Sequence, residues 1–125
     1  MIKGIGVDIV DVKRFEKWIH DENILNRFFN KNEMSTAKSD QHKMEHYASR
    51  FAAKEAFGKA LGVGITSFSL QDIFVQNDEN GKPYIVIQNS AKNVFEKIIG
   101  EGNIQLSLSH EKNNAIAFVI IQDVW

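Results

Sequence analysis

Two carboxylates in this chain stand in unusual company. Asp8 closes the run Gly4-Ile5-Gly6-Val7-Asp8, and strand alternation puts Gly4, Gly6, Asp8 and Val10 on one face. The ground beside Asp8 is therefore bare. Glycine within a strand often marks close approach by a ligand or another backbone; read alone, the feature is also what an edge strand with a solvated Asp looks like. Glu55 lies in Arg50-Phe51-Ala52-Ala53-Lys54-Glu55-Ala56-Phe57-Gly58-Lys59-Ala60-Leu61-Gly62, which is rich in helix formers and free of proline. At about 100° per residue, Glu55 falls within roughly 60° of Ala48, Phe51, Ala52 and Gly58. Lys59 is one turn further on. By themselves Glu55 and Lys59 make a surface pair worth about 0.3–0.5 kcal/mol. Taken with Asp8, Glu55 becomes the second hard oxygen ligand of a Mg²⁺ site, since that ion takes one or two carboxylates and completes its shell with water and substrate phosphates. Arg50, Lys54 and Lys59 supply positive charge for such phosphates. Ser107, Ser109 and His110 sit at a strand end beside a turn, where ligand contacts concentrate. Together these residues suit phosphoryl or phosphodiester chemistry, in which positioning and charge stabilisation dominate.

The bulk properties narrow the field. A chain of 125 residues with 43% hydrophobic content fits one domain, 1–125, with a real core. Fifteen basic against sixteen acidic side chains argue against a general nucleic-acid binder. The absence of cysteine excludes disulfides, thiolate metal sites and cysteine nucleophiles. No apolar run reaches the roughly 18 residues of a membrane span, and the N-terminal residues lack a signal-peptide layout, so a cytoplasmic location is expected. There is no internal repeat, so a site of two- or three-fold symmetry must come from separate chains. Walker-type and dinucleotide-binding glycine motifs are absent.

The elements that must position these groups follow in order. Residues 2–10 read as a strand whose β-branched Ile5, Val7 and Ile9 face the core. Asp11 is placed to cap a helix over 12–22 with Val12, Phe15 and Ile19 inside. Its other face gathers Lys13, Arg14 and Lys17, either as a solvated face or as a dock for an acidic partner. A short helix over 24–31, a helical piece at 32–35 and a polar loop over 35–43 precede the long helix, expected from Met44 to Gly62 or Gly64. A hairpin spans 72–88, with Asp78-Glu79-Asn80-Gly81 as its turn and Pro83 opening its second strand. Ser90 is placed to cap a helix through Ile99. A second hairpin pairs residues 104–109 with 115–121, and that last strand is apolar enough to be central or interfacial. The expected class is α+β, a small antiparallel sheet packed with helices.

Three stretches, Gly4-Ile5-Gly6-Val7-Asp8-Ile9, Arg50–Lys59 and Ser107-Leu108-Ser109-His110, resemble in order and spacing the signatures of the 4′-phosphopantetheinyl transferases. Asn80-Gly81-Lys82-Pro83-Tyr84 is similar to that family's hairpin. The resemblance runs from residue 2 to about 121 and is closest to the short, single-copy holo-[acyl-carrier-protein] synthase type. It implies that fold, and transfer of 4′-phosphopantetheine from coenzyme A to a serine of apo-acyl carrier protein in support of fatty acid biosynthesis. Adenosine 3′,5′-bisphosphate leaves. By the same resemblance Asp8 and Glu55 hold Mg²⁺ and, with Lys59 at the diphosphate, carry catalysis. Arg50, Lys54, Lys59, Pro83, Ser107, Ser109 and His110 bind coenzyme A. Lys13, Arg14 and Lys17 dock the carrier protein. The assembly it implies is a homotrimer with sites between subunits. Larger relatives carry a third acidic residue at the position of Val10 and a Trp at that of Phe51; both departures favour the short type. The resemblance leaves the base open between Glu55 and a metal-held water. Two other functions compete with the transferase, a trimeric module that only captures carrier protein and a Mg²⁺-dependent nucleotide phosphohydrolase. Paired carboxylates in a cleft argue against the first.

Overall fold

A computed structural model describes residues 1–124. Its centre is a 22-residue helix, α2 (Asp40–Leu61), laid across a three-stranded antiparallel sheet. The sheet order is β1 (Ile2–Asp11), β5 (Asn114–Asp123), β4 (Gly102–His110). A separate hairpin joins β2 (Ile73–Asn77) to β3 (Pro83–Ile87), and two shorter helices, α1 (Glu22–Phe28) and α3 (Asn89–Ile98), flank these layers. This is the α+β arrangement expected. Among the described residues no helix is long and apolar enough to cross a membrane.

The strand face expected to be inside is outside. Ile5, Val7 and Ile9 are 61%, 52% and 62% exposed, while Gly6 and Val10 are buried. The reason is the helix. A Cβ on Gly4 would lie 1.9 Å from the Ala60 carbonyl oxygen, and one on Gly6 would lie 2.0 Å from that of Ala56. The backbones of β1 and α2 touch, which only glycine permits, and side-chain hydrophobicity is overruled by that approach. The outward set continues across the sheet. Ile9 pairs with Ile116 and Val7 with Phe118, both partly exposed, so the single chain carries an apolar sheet face. The inward set on β5, namely Ala115, Ala117, Val119 and Ile121, is fully buried.

Other boundaries move for local reasons. The stretch after β1 is two 3-10 turns, Val12–Phe15 and Trp18–His20, rather than a helix over 12–22. Asp11 does cap it, accepting from the Lys13 amide, and Val12 and Phe15 are buried. α2 begins at Asp40 because the Ser39 hydroxyl accepts from the His42 amide, so the expected loop over 35–43 gives its last residues to the helix. Gly62, at φ 78°, ends it in the left-handed conformation. Ser90 does not cap α3. It donates its hydroxyl to Asp72 (2.5 Å) and accepts from the Ser69 amide, tying the helix start to the preceding loop.

Candidate active site

α2 and β1 bring Asp8, Glu55 and Lys59 to one place. Because Gly4 and Gly6 let the strand lie on the helix, Asp8, two residues on along the same face, arrives beside the C-terminal half of α2. Lys59 spans the junction, donating to Asp8 Oδ1 at 3.0 Å and to the Val7 carbonyl at 3.1 Å. It pairs with Asp8, not with Glu55 one turn back. Glu55 is half-buried, and its pKa is raised, first by burial and then by the nearby Asp8 charge; Lys59 and Arg14 pull the other way. Two carboxylates that repel each other, with one ammonium between them and solvent, have the donor chemistry for a hard divalent cation. Among the described residues no third His, Cys, Asp or Glu joins them as a ready cage. The two-carboxylate set fits an ion that takes its remaining ligands from substrate and water.

A second locus lies about 15 Å back along the helix, the rise of the ten residues from Glu55 to Glu45. Here a cleft of about 410 Å³ is lined by His42, Glu45, His46, Arg50, Asn77 and His110, among others. Arg50 donates from one terminal guanidinium nitrogen to the Ser49 hydroxyl, while its buried Nε has no acceptor among the described residues. A buried donor without a partner is costly, and an anion in this cleft would satisfy it. His46 is neutral at pH 7, since burial, reinforced by the Arg50 charge, brings its pKa down to about 4. Its ring nitrogen meets the Glu33 carbonyl at 2.5 Å. Pro83 opens β3 in register with Asn77, which lines the same cleft.

The remaining expected site residues go elsewhere. Lys54 is fully buried, and all three of its ammonium hydrogens are taken by protein acceptors. Its Nζ donates to Glu33 Oε1 at 2.7 Å, to the Leu70 carbonyl at 3.0 Å and to the Ile73 carbonyl. It sits one residue before Glu55, and the 100° step between them turns it into the interior. Ser107 and Ser109 pair with Phe118 and Ile116 and so share the outward sheet face, opposite to Asp8. Arg14 and its neighbours Lys13 and Lys17 are exposed on the turns after β1. Arg14 is not merely solvated. Its guanidinium lies 4.8 Å from the Phe51 ring centroid and 5.8 Å from that of Trp18, and its charge reaches Glu55. Gln41 was missed because the helix was expected to begin at Met44, and the polar run Gln41-His42-Lys43 was the available signal; Glu45 and His46 lay inside the expected helix, but nothing local pairs Glu45 with His110, 65 residues away.

Residues 4–119 match the 4′-phosphopantetheinyl transferase superfamily. The chain belongs to that superfamily. A holo-[acyl-carrier-protein] synthase of Treponema denticola is 47% identical over 123 residues, covering 98% of this chain and 99% of the relative. Among solved structures, a Bacillus anthracis holo-(acyl-carrier-protein) synthase in complex with CoA (3′,5′-ADP) superposes with a TM-score of 0.81 at 36% identity, covering 98% of each chain. A Helicobacter pylori holo-[acyl-carrier-protein] synthase in complex with coenzyme A gives 0.79 at 32% identity, over 94% of this chain and 99% of that one. Membership of the superfamily does not alter where Lys54 lies.

Proposed function

We propose that this chain is a holo-[acyl-carrier-protein] synthase that moves 4′-phosphopantetheine from coenzyme A to a serine of apo-acyl carrier protein. The observation that carries this reading is the meeting of Asp8, Glu55 and Lys59 across the β1–α2 contact, in a chain similar over nearly its full length to such synthases. In the reaction the serine oxygen forms a bond to the phosphorus bearing the pantetheine arm. The bond from that phosphorus to the adenosine bisphosphate oxygen breaks, and the serine proton passes to a base. Asp8 and Glu55 would hold Mg²⁺, which when bound would supply charge that lowers the cost of the leaving phosphate. Lys59, whose side chain is more than half exposed, reaches the same diphosphate without leaving the site. The unpartnered Nε of Arg50, with His110 in the same cleft, binds the nucleotide end.

These two loci lie about 15 Å apart along α2, and Ser107 and Ser109 lie on the outward face of the sheet. That separation supports a homotrimer whose subunits complete each other's sites through the apolar face of Ile5, Val7, Ile9, Ile116 and Phe118. Arg14, Lys13 and Lys17 dock the acidic carrier protein beside Glu55. The product serves fatty acid biosynthesis in the cytoplasm. The test is mass spectrometry of apo-carrier protein incubated with coenzyme A, Mg²⁺ and this protein. A gain of about 340 Da on the carrier serine is expected. Coenzyme A breakdown without that gain would instead identify a phosphohydrolase.

A further inference from the structure

Glu45 has no part in the chemistry just described, yet it is a buried carboxylate with a fully specified set of partners. Its Oε1 is 2.7 Å from His110 Nδ1, and its Oε2 accepts from Gln41 Nε2 at 2.8 Å. Gln41 Nε2 also donates to the Lys112 carbonyl, at 2.9 Å, in the turn between β4 and β5. Both amide hydrogens of Gln41 are therefore directed at acceptors, which fixes which end of that amide is the nitrogen. The carboxyl of Glu45 is held below its ordinary pKa, chiefly by the Gln41 hydrogen bond and further by His110, against the opposing effect of burial. An ionised carboxylate only accepts, so the hydrogen in the Glu45–His110 contact belongs to Nδ1. His110 Nε2 has no hydrogen-bond partner among the described residues, and the ring lines the cleft that holds Arg50.

We infer that Glu45 is a positioning residue: with Gln41 it locks the His110 ring in one orientation with its hydrogen on Nδ1, so that Nε2 is left as an acceptor for a donor of the coenzyme A nucleotide, its adenine amino group or ribose hydroxyl, in the Arg50 cleft. The inference rests on the reading of His110 as a nucleotide contact. Three features single out Glu45. Among the described residues it is the only carboxylate lining that cleft, whose other charged and titratable side chains are Arg50, His42, His46 and His110. A lone carboxylate would repel a phosphate there unless its charge were already engaged, and both of its oxygens are. Its partners also come from both layers of the fold, the first turns of α2 and the β4–β5 hairpin, so it sets the hairpin end against the helix.

The experiment has two readouts. The first is the imidazole tautomer of His110, by long-range proton–nitrogen correlation NMR at a pH where the ring is neutral, with His110→Asn used to assign the signal. The wild-type chain is expected to show the Nδ1–H form, and Glu45→Ala the Nε2–H form that free imidazole favours. The second is steady-state kinetics with coenzyme A. Glu45→Ala is expected to raise KM for coenzyme A up to about tenfold, the worth of the one hydrogen bond lost when Nε2 becomes the protonated nitrogen, with kcat little changed. Glu45→Gln, whose amide oxygen can still accept from Nδ1, is expected to restore most of the loss. It also serves as the test variant if Glu45→Ala does not fold. In a His110→Ala background, Glu45→Ala should add nothing. An unchanged tautomer, or additive effects of the two substitutions, would overturn the inference. A defective His110→Ala beside a normal Glu45→Ala would overturn it alone. A His110→Ala variant with normal KM would overturn it together with the nucleotide-contact reading on which it rests.

Discussion

Two lysine–carboxylate pairs hold this molecule together, and they have almost the same bond length with opposite consequences. Lys54 meets Glu33 at 2.7 Å, with both side chains wholly buried. Lys59 meets Asp8 at 3.0 Å, with the lysine 55% and the aspartate 16% exposed. In the first pair every capacity is used. Lys54 spends its three hydrogens on Glu33 and two carbonyls, and Glu33 also accepts from the Asn30 and Val75 amides. Burial pushes the Lys54 ammonium below its ordinary pKa and Glu33 draws it back up. The pair stitches the turn at 30–34, α2 and β2 into one body and has nothing left for a ligand. The second pair is open. Asp8 Oδ2 has no hydrogen-bond partner among the described residues, the Lys59 side chain is more than half exposed, and the neighbouring Glu55 is a carboxylate whose pKa is raised by burial and by Asp8. The closed pair has no capacity left for a ligand, and the open pair does.

The sharpest way to break this contrast is to remove one carboxylate from each side. Asp8→Ala and Glu55→Ala should each reduce transfer about a thousandfold or more while the thermal midpoint stays near that of the parent. Near-normal turnover with Mg²⁺ in either variant would show that the open pair is not the reactive one. Glu33→Ala or Lys54→Ala should do the reverse, costing about 3–5 kcal/mol of stability because one buried charge loses its partner. Chemical denaturation reads this directly, and a midpoint close to wild type would mean the interior is wetter than the closed pair requires.

A smaller effect comes from pH. His46 belongs to the closed side, since its ring nitrogen meets the Glu33 carbonyl. Its pKa falls from 6.5 in the unfolded chain to about 4 in the folded one. The unfolded state therefore binds the proton first as pH drops. Stability from the neutral ring is fully present above pH 6.5 and is lost on acidification toward pH 4, on the order of 3 kcal/mol in all. His46→Asn should flatten the denaturation midpoint over that window; an unchanged slope would place the acid sensitivity elsewhere. The smallest effect belongs to Arg14, on the rim of the open side. Arg14→Ala should weaken carrier-protein binding by about 1 kcal/mol or less, more at low salt than at high. Surface plasmon resonance at two ionic strengths checks it, and a salt-independent loss would assign Arg14 to packing on Phe51 instead.

Several elements were legible without coordinates. Both hairpins, the stop at Gly62, the Asp11 cap and the α+β class follow from local rules of turn chemistry and periodicity. The misreadings share one cause. Ile5, Val7 and Ile9 look like a core face because alternation rewards β-branched residues, but the inner face was chosen by how closely a helix backbone can approach, and glycine wins that contest. Lys54 looks like a phosphate ligand because it is a cation beside Glu55, but its direction is set by a turn 21 residues earlier in the chain. The basic stretch after β1 has helical composition, yet the Phe15–Trp18–Phe51 cluster winds it into 3-10 turns.

The sequence by itself determined which groups could act: Asp8 on bare ground, Glu55 and Lys59 one helical turn apart, and Ser107 to His110 at a strand end, in the order its superfamily shares. Residue type and short-range spacing carry that information. Tertiary structure alone decided which of those groups meet. It joined Asp8 to Lys59 across 51 residues, closed Lys54 onto Glu33, turned Ser107 and Ser109 to the far side of the sheet, and set Glu45 behind His110. Such pairings depend on how near two backbones can come and on which charges burial will tolerate, and neither quantity is local to any stretch of the chain.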